Sequence, residues 1–242
     1  MSRWVRVTLW TVAALVVLMA GTWWFGFSPL AADPDVDAAL ARGRAAVEGG
    51  GWAFGPSDAD VGIVLYTGAR VDPEAYAPLA GRLAESGYLV LLPRLTLNFA
   101  IFDQDRAAEE IAAHPDVDHW VMAGHSLGGA MAARYAASDD RVEALVLLAA
   151  YPEESLDLRT TDLAVLTISA TEDAVATPDE IVASLDRLPD DAVAVEIDGG
   201  NHAQFGWYGD QRGDGTAVIS KERQLIEVTD AISAFLSDRF GS

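Results

Sequence analysis

Six short and almost uninterrupted apolar runs limit what this chain can become: GIVLY at 62–66, YLVLLP at 88–93, WVMAG at 120–124, ALVLLAA at 144–150, LAVLTISA at 163–170 and AVAVEI at 192–197. They lack the polar alternation of a strand with one wet face, so each reads as a strand buried on both sides. Helical patterns separate them at about 73–86, 104–113, 127–137 and 178–188, and a last amphipathic helix follows at 221–239. Strands of this kind alternating with helices imply a mostly parallel sheet with helices on both faces, an α/β fold. Ligands of such sheets bind outside the carboxyl ends of the strands. A further short strand is expected at 52–54, after a helical stalk over 33–47 and a break at GGG, 49–51.

The first 32 residues have a different character. Residues 7–27 run 21 positions without a charge, behind Arg3 and Arg6, with Trp4, Trp23 and Trp24 near the ends. An α-helix needs roughly 20 such residues to cross a bilayer, basic flanks stay on the cytoplasmic side, and tryptophan favours the interface. The expectation is one N-terminal transmembrane helix, with the rest of the chain membrane-anchored and extracytoplasmic. The alternative is a signal peptide that is cleaved to release a secreted protein. The apolar stretch exceeds the usual signal length, and SPLAADPD offers no clean cleavage site. The expected division is therefore 1–32 anchor, 33–60 stalk and first strand region, and 61–242 the main α/β domain.

Composition removes several chemistries. The chain has no cysteine, which excludes disulfides, thiolate metal sites and cysteine nucleophiles. Its formal charge is −21, and all 37 acidic residues follow residue 32. Such a surface repels phosphate backbones and argues against a nucleic-acid partner.

Gly124-His125-Ser126-Leu127-Gly128 satisfies G-x-S-x-G between an expected strand and an expected helix. A sharp turn that projects the serine leaves no room for side chains two residues to either side. A plain reading also exists, since serine before an apolar run commonly caps a helix. What separates the two is whether a base and an acid follow. A serine hydroxyl attacks only when a base removes its proton and a third group holds that base. Of the four histidines, His114 and His119 read as solvated loop residues, and His125 as a packed core residue pointing away from Ser126. His202 stands on a loop after the strand at 192–197, where a base is needed. The acid is expected after the strand at 163–170, where Asp173 is favoured and Glu172 is the fallback. Charge developing on the substrate carbonyl needs backbone N–H donors. Leu127, after the nucleophile, and Ala69, in the loop after the strand at 62–66, are the candidates.

With these residues in hand, the chain resembles the α/β-hydrolase superfamily, and within it a small bacterial branch. The likeness rests on LYTGARVDPEAYAPLA, GHSLGGAMAA, ATEDAVATP and GGNHAQFG in that order and covers about residues 60–238. It implies an α/β-hydrolase fold and the triad order Ser126, Asp173, His202. The family's usual His-Gly of the oxyanion loop is Thr67-Gly68 here. Dienelactone hydrolases share the architecture but use a cysteine nucleophile. Only 152–162 separate two strands between which family members often insert a helical cap, so a largely uncapped site is expected.

Phe99 and Phe102 in LTLNFAIF, together with Tyr151, Phe205 and Trp207, lie in loops at the expected site and are candidate walls for an apolar acyl or aromatic group. Asp210 and Asp214 lack the full ligand series of a calcium loop and read as acidic turn residues. No metal or cofactor is expected. The resulting expectation is a serine hydrolase of carboxylesterase type acting on a small-molecule ester. Alternatives are thioester or amide cleavage or acyl transfer with the same residues, and a non-catalytic, membrane-tethered binding module.

Overall fold

A computed structural model describes residues 28–45 and 50–241. An eight-stranded sheet is built from β1 (Arg44–Ala45), β2 (Gly51–Phe54), β3 (Val61–Tyr66), β4 (Leu89–Pro93), β5 (His119–His125), β6 (Val142–Leu148), β7 (Ala164–Ala170) and β8 (Val193–Ile197). Their spatial order is β1-β2-β4-β3-β5-β6-β7-β8, with β1 and β2 antiparallel at one edge and β3 to β8 parallel. The chain steps from β3 outward to β4 and then returns to place β5 on the other side of β3. Connections leave in opposite directions at that switch, and a crevice opens outside the carboxyl ends of β3 and β5.

The apolar runs form strands because both of their faces are covered. In β3, Ile63 and Leu65 enter one core while Val64 and Tyr66 enter the other. The first core is closed by α2 (Ala77–Glu85) and α6 (Lys221–Phe240), through Leu83, Val228, Ile232 and Leu236. The second is closed by α3 (Arg106–Ala113) and α4 (Leu127–Ala136), through Ile111, Met131, Ala132 and Tyr135. Each fully buried Leu or Ile contributes about 1.5–3 kcal/mol relative to exposure. The short α5 (Pro178–Ser184) opens with a capping box in which Thr177 and Glu180 satisfy each other's backbone N–H groups.

The expected helix over 33–47 is not formed. A 3-10 turn and the four-residue α1 (Asp37–Leu40) end before Gly43, and Arg44–Ala45 pair with β2 instead. A side chain at Gly43 would meet the Phe54 ring at 2.8 Å, so the chain passes too close to β2 for a continuing helix. Val36 and Ala39 are buried and Lys221 binds Asp33 and Asp35, so this segment packs on the domain. Strand β6 is two residues offset from the expected run, because Ala149 turns out of the sheet at φ 44°. No helix lies between β6 and β7. Among the described residues no helix is long and apolar enough to cross a membrane, and the expected span at 7–27 lies outside the described residues.

Candidate active site

Strand β5 delivers Ser126 to the crevice, and the turn there is sharper than an ordinary helix start. Ser126 has φ 53° and ψ −127°, a conformation that costs of order 1–3 kcal/mol for a residue other than glycine. Its side chain makes no capping hydrogen bond to α4, so the plain reading of a helix cap does not hold. The flanking glycines are required by space. A Cβ on Gly124 would sit 2.5 Å from the Gly128 backbone, and one on Gly128 would sit 2.3 Å from the Thr67 carbonyl oxygen.

His202 and Asp173 meet directly. His202 Nδ1 donates to Asp173 Oδ2 at 2.7 Å, and both side chains are excluded from solvent. Asp173 Oδ1 accepts from the N–H groups of Val175 at 2.7 Å and Ala176 at 2.8 Å. The carboxylate is thereby fixed with one oxygen turned to the imidazole, which leaves His202 Nε2 as the basic nitrogen. Glu172, the fallback acid, is exposed. Among the described residues no hydrogen bond joins Ser126 to His202. Such bonds are commonly long in an empty site and tighten around substrate.

A second carboxylate holds the His202 loop. Asp214 accepts from His202 N–H at 3.3 Å, Ala203 N–H at 2.8 Å and Gly215 N–H at 2.8 Å. From sequence Asp214 reads as a turn residue, because nothing in one sequence announces that its oxygens face a loop twelve positions earlier.

The loop after β3 holds Ala69, the second oxyanion donor expected from sequence. Gly68 N–H goes to Tyr76 Oη at 2.9 Å, Arg70 N–H to the Asn98 carbonyl at 2.7 Å and Val71 N–H to the Gly68 carbonyl at 3.1 Å. Among the described residues Ala69 N–H has no acceptor. Leu127, the first residue of α4, also has no acceptor for its N–H. Both N–H groups named from sequence are thus without an acceptor among the described residues.

His125 is fully buried, as its place in the elbow implied, but it is more than packing. Its Nδ1 lies 2.7 Å from Tyr76 Oη. Gly68 N–H donates to the same Oη, so His125 Nδ1 is the acceptor within reach of the phenol proton, while His125 Nε2 is buried without a hydrogen-bond partner among the described residues. Burial, and secondarily the nearby His202, hold the His125 pKa well below the ordinary value, so the ring is neutral. Burial likewise pushes the Tyr76 phenol above its ordinary range. The His125 and His202 rings lie 4.4 Å apart between centroids. Tyr76 was missed by sequence reasoning, since in a helical pattern it counts as one more apolar position.

The cleft beside Ser126 encloses about 280 Å³ and is lined by small or apolar groups, including Leu127, Ala130, Ala150, Tyr151 and Val175. Of the five candidate wall residues, only Tyr151 lines it. Phe205 is buried and stacks on His125, 5.7 Å between centroids, because its 3-10 turn folds inward behind His202. Trp207 faces a separate polar hollow of about 480 Å³, where the Lys221 ammonium lies over its ring at 4.4 Å. Phe99 and Phe102 pack edge to face outside the cleft, on a segment that lies against α4. The reading of His114 as solvated is also corrected. It is buried against Trp120, with Nδ1 2.8 Å from the Glu110 carbonyl, because α3 folds it back onto the second core. His119 opens β5, pairs with Glu143 and stacks on Phe240.

A family model described as the alpha/beta hydrolase family matches residues 62–226. No curated protein matches the chain. Among solved structures, a thermophilic esterase from the Planctomycetes species Thermogutta terrifontis aligns with a TM-score of 0.59 and 14% identity, over 83% of this chain and 94% of that one. MGS-MChE2, an alpha/beta hydrolase enzyme from the metagenome of Mar Chica lagoon sediments, gives 0.61 and 17% over 81% and 99%. The esterase domain of a Rhodothermus marinus protein gives 0.57 and 13% over 77% and 91%. At such identities the likeness concerns the fold.

Proposed function

The chain belongs to the alpha/beta hydrolase family, and from that premise we propose that it is a serine hydrolase of carboxylesterase type, acting on small esters through an acyl-enzyme. The observation that carries the reading is the solvent-excluded hydrogen bond between His202 and Asp173 at 2.7 Å, beside a serine held at positive φ with no structural use for its hydroxyl. His202 Nε2 takes the Ser126 proton as Oγ attacks the carbonyl carbon, and Asp173 stabilises the imidazolium that results. The N–H groups of Leu127 and Ala69 receive the oxyanion. Collapse expels the alcohol with the proton from His202. Water, deprotonated by His202, then releases the acid and restores Ser126.

A cleft of about 280 Å³ lined by alanines, Tyr151 and Val175 suits a short apolar acyl group. Esterases among the structural neighbours support the same chemistry. No cofactor is required by this scheme. The 21 uncharged residues at 7–27 behind Arg3 and Arg6 support a membrane anchor with the catalytic domain outside the cytoplasm.

Turnover of p-nitrophenyl acetate and butyrate by the protein and by Ser126→Ala tests the reading. The variant is expected to lose about 10⁴-fold or more in kcat while its thermal midpoint is unchanged. Ester turnover that persists in a folded Ser126→Ala protein would contradict it.

A further inference from the structure

Eight large hydrophobic side chains are exposed among the described residues, and three of them, Leu97, Ile101 and Phe102, fall within six consecutive positions. They are 47%, 46% and 54% exposed. This is not a loose flap whose apolar groups could turn inward. Leu95 and Ala100 are buried in the second core, Asn98 Nδ2 donates to Asp72 at 2.7 Å, and the Asn98 carbonyl accepts from Arg70 at 2.7 Å. The fixed points alternate with the exposed ones. The segment follows β4 at the same carboxyl edge of the sheet that carries Ser126, and Val175, on the cleft rim after β7, is exposed at that same end of the sheet.

The start of the described chain comes to this same edge. Leu30 forms a parallel bridge to Val71, its N–H donating to Arg70 at 2.8 Å and its carbonyl accepting from Asp72 at 3.0 Å. Arg70 is the residue whose own N–H binds Asn98. From Leu30 back to Phe27, the last residue of the uncharged run, the chain can span at most about 11 Å. The last residue of the uncharged run is thus three positions in sequence from Leu30, which is fixed beside the loop after β3 and the 95–102 segment.

We propose that Leu97, Ile101 and Phe102 form a membrane-docking surface, which seats the carboxyl edge of the sheet, and with it the Ser126 cleft, on the bilayer that holds residues 7–27. The proposal rests on the anchoring part of the functional reading. Two attachments close together on one face, a spanning segment and an interfacial apolar ridge, fix orientation where one would leave the domain free to tumble. Charge selects the kind of surface. Asp103, Asp105 and Glu109 border the ridge together with Arg94 and Arg106, which leaves no excess of positive charge there, and the domain as a whole is strongly acidic, so anionic headgroups are repelled and a zwitterionic or neutral surface fits. Substrate would then reach the cleft from the interface instead of from bulk water.

The absence of cysteine makes the test direct. The full chain carrying Phe102→Cys is labelled with an environment-sensitive nitrobenzoxadiazole dye and reconstituted into phosphatidylcholine vesicles. Leu97→Cys is a second probe of the ridge, and Asp140→Cys, exposed before β6 at the opposite end of the sheet, is the control. The expected result is a blue shift at 102 and 97, with about half of the emission lost to a shallow nitroxide lipid, and neither effect at 140. A chain that floats with the vesicles while the dye at 102 and 97 stays as wet as at 140 overturns the docking surface and leaves the anchor standing. A blue shift without nitroxide quenching also overturns it, because protein then covers the ridge, whether residues 7–27 or a second copy. Failure to float overturns the anchor and the docking surface together. Ester turnover of the same samples reads the Ser126 chemistry separately.

Discussion

Two loops border the Ser126 turn, one carrying His202 and one following β3, and different chemistry holds the groups nearest the proposed reaction in each. The His202 loop is fixed by carboxyl groups, Asp173 on the imidazole and Asp214 on the backbone N–H groups of His202 and Ala203. In the loop after β3 the groups beside Gly68 are neutral, the Tyr76 phenol on its N–H and the His125 imidazole on the phenol, while Asp72 ties the end of the loop to Asn98. The division follows the charges that appear in turnover. In the proposed mechanism His202 gains a proton and becomes positive, so carboxylates beside it would stabilise the transition state. The oxyanion is negative, and an ionised acceptor near Ala69 would oppose it. A neutral His125, 4.4 Å from His202, also adds no repulsion when the imidazolium forms.

The largest test of this asymmetry is Asp173→Asn. An amide keeps the shape but favours the wrong imidazole tautomer, and kcat is expected to fall about 10⁴-fold with the fold retained. Steady-state kinetics beside circular dichroism would check it, and a loss below tenfold would remove Asp173 from its role. Asp214→Asn should come next. It leaves the imidazole partner intact and replaces an ionised acceptor of backbone N–H groups, each such bond contributing about 1.5–3 kcal/mol. The expected loss is about 10²-fold in kcat with KM little changed, read from the same assay.

On the neutral side, Tyr76→Phe removes the acceptor of Gly68 N–H and the donor to His125. An expected loss of about 1–3 kcal/mol in unfolding free energy, measured by urea titration, accompanies a kcat decrease of only about tenfold, because Ala69 N–H itself is untouched. The smallest effect is a pH dependence. His125 is held neutral by burial, so its folded pKa lies below its unfolded value. Its contribution is complete above about pH 6.5, the unfolded value, and is lost as pH falls through the folded pKa, since the unfolded chain takes up a proton that the folded chain refuses. Thermal midpoints from pH 7.5 to 5.5 should fall more steeply for the native protein than for His125→Gln. Equal slopes would assign the acid sensitivity elsewhere.

The strands and the elbow were legible because they obey local rules. A run such as ALVLLAA can be buried on both faces only in a covered sheet, and Gly124 and Gly128 mark a turn in which any Cβ would collide. Asp173 and His202 were legible from their places after successive strands. What escaped was set by long-range packing. Phe205 reads the same whether it lines a cleft or stacks beneath His125, and Tyr76 the same whether its hydroxyl is idle or joins two loops. The helix expected over 33–47 failed for a similar reason, since the contact of Gly43 with Phe54 belongs to sheet pairing and is invisible in helical periodicity.

Intact-mass analysis after exposure to a fluorophosphonate tests the central claim most directly, with Ser126→Ala and His202→Ala treated in parallel. The account predicts one adduct, located on Ser126, that vanishes in both variants. A folded protein that takes no adduct, or takes it elsewhere than Ser126, would contradict an activated serine at this site.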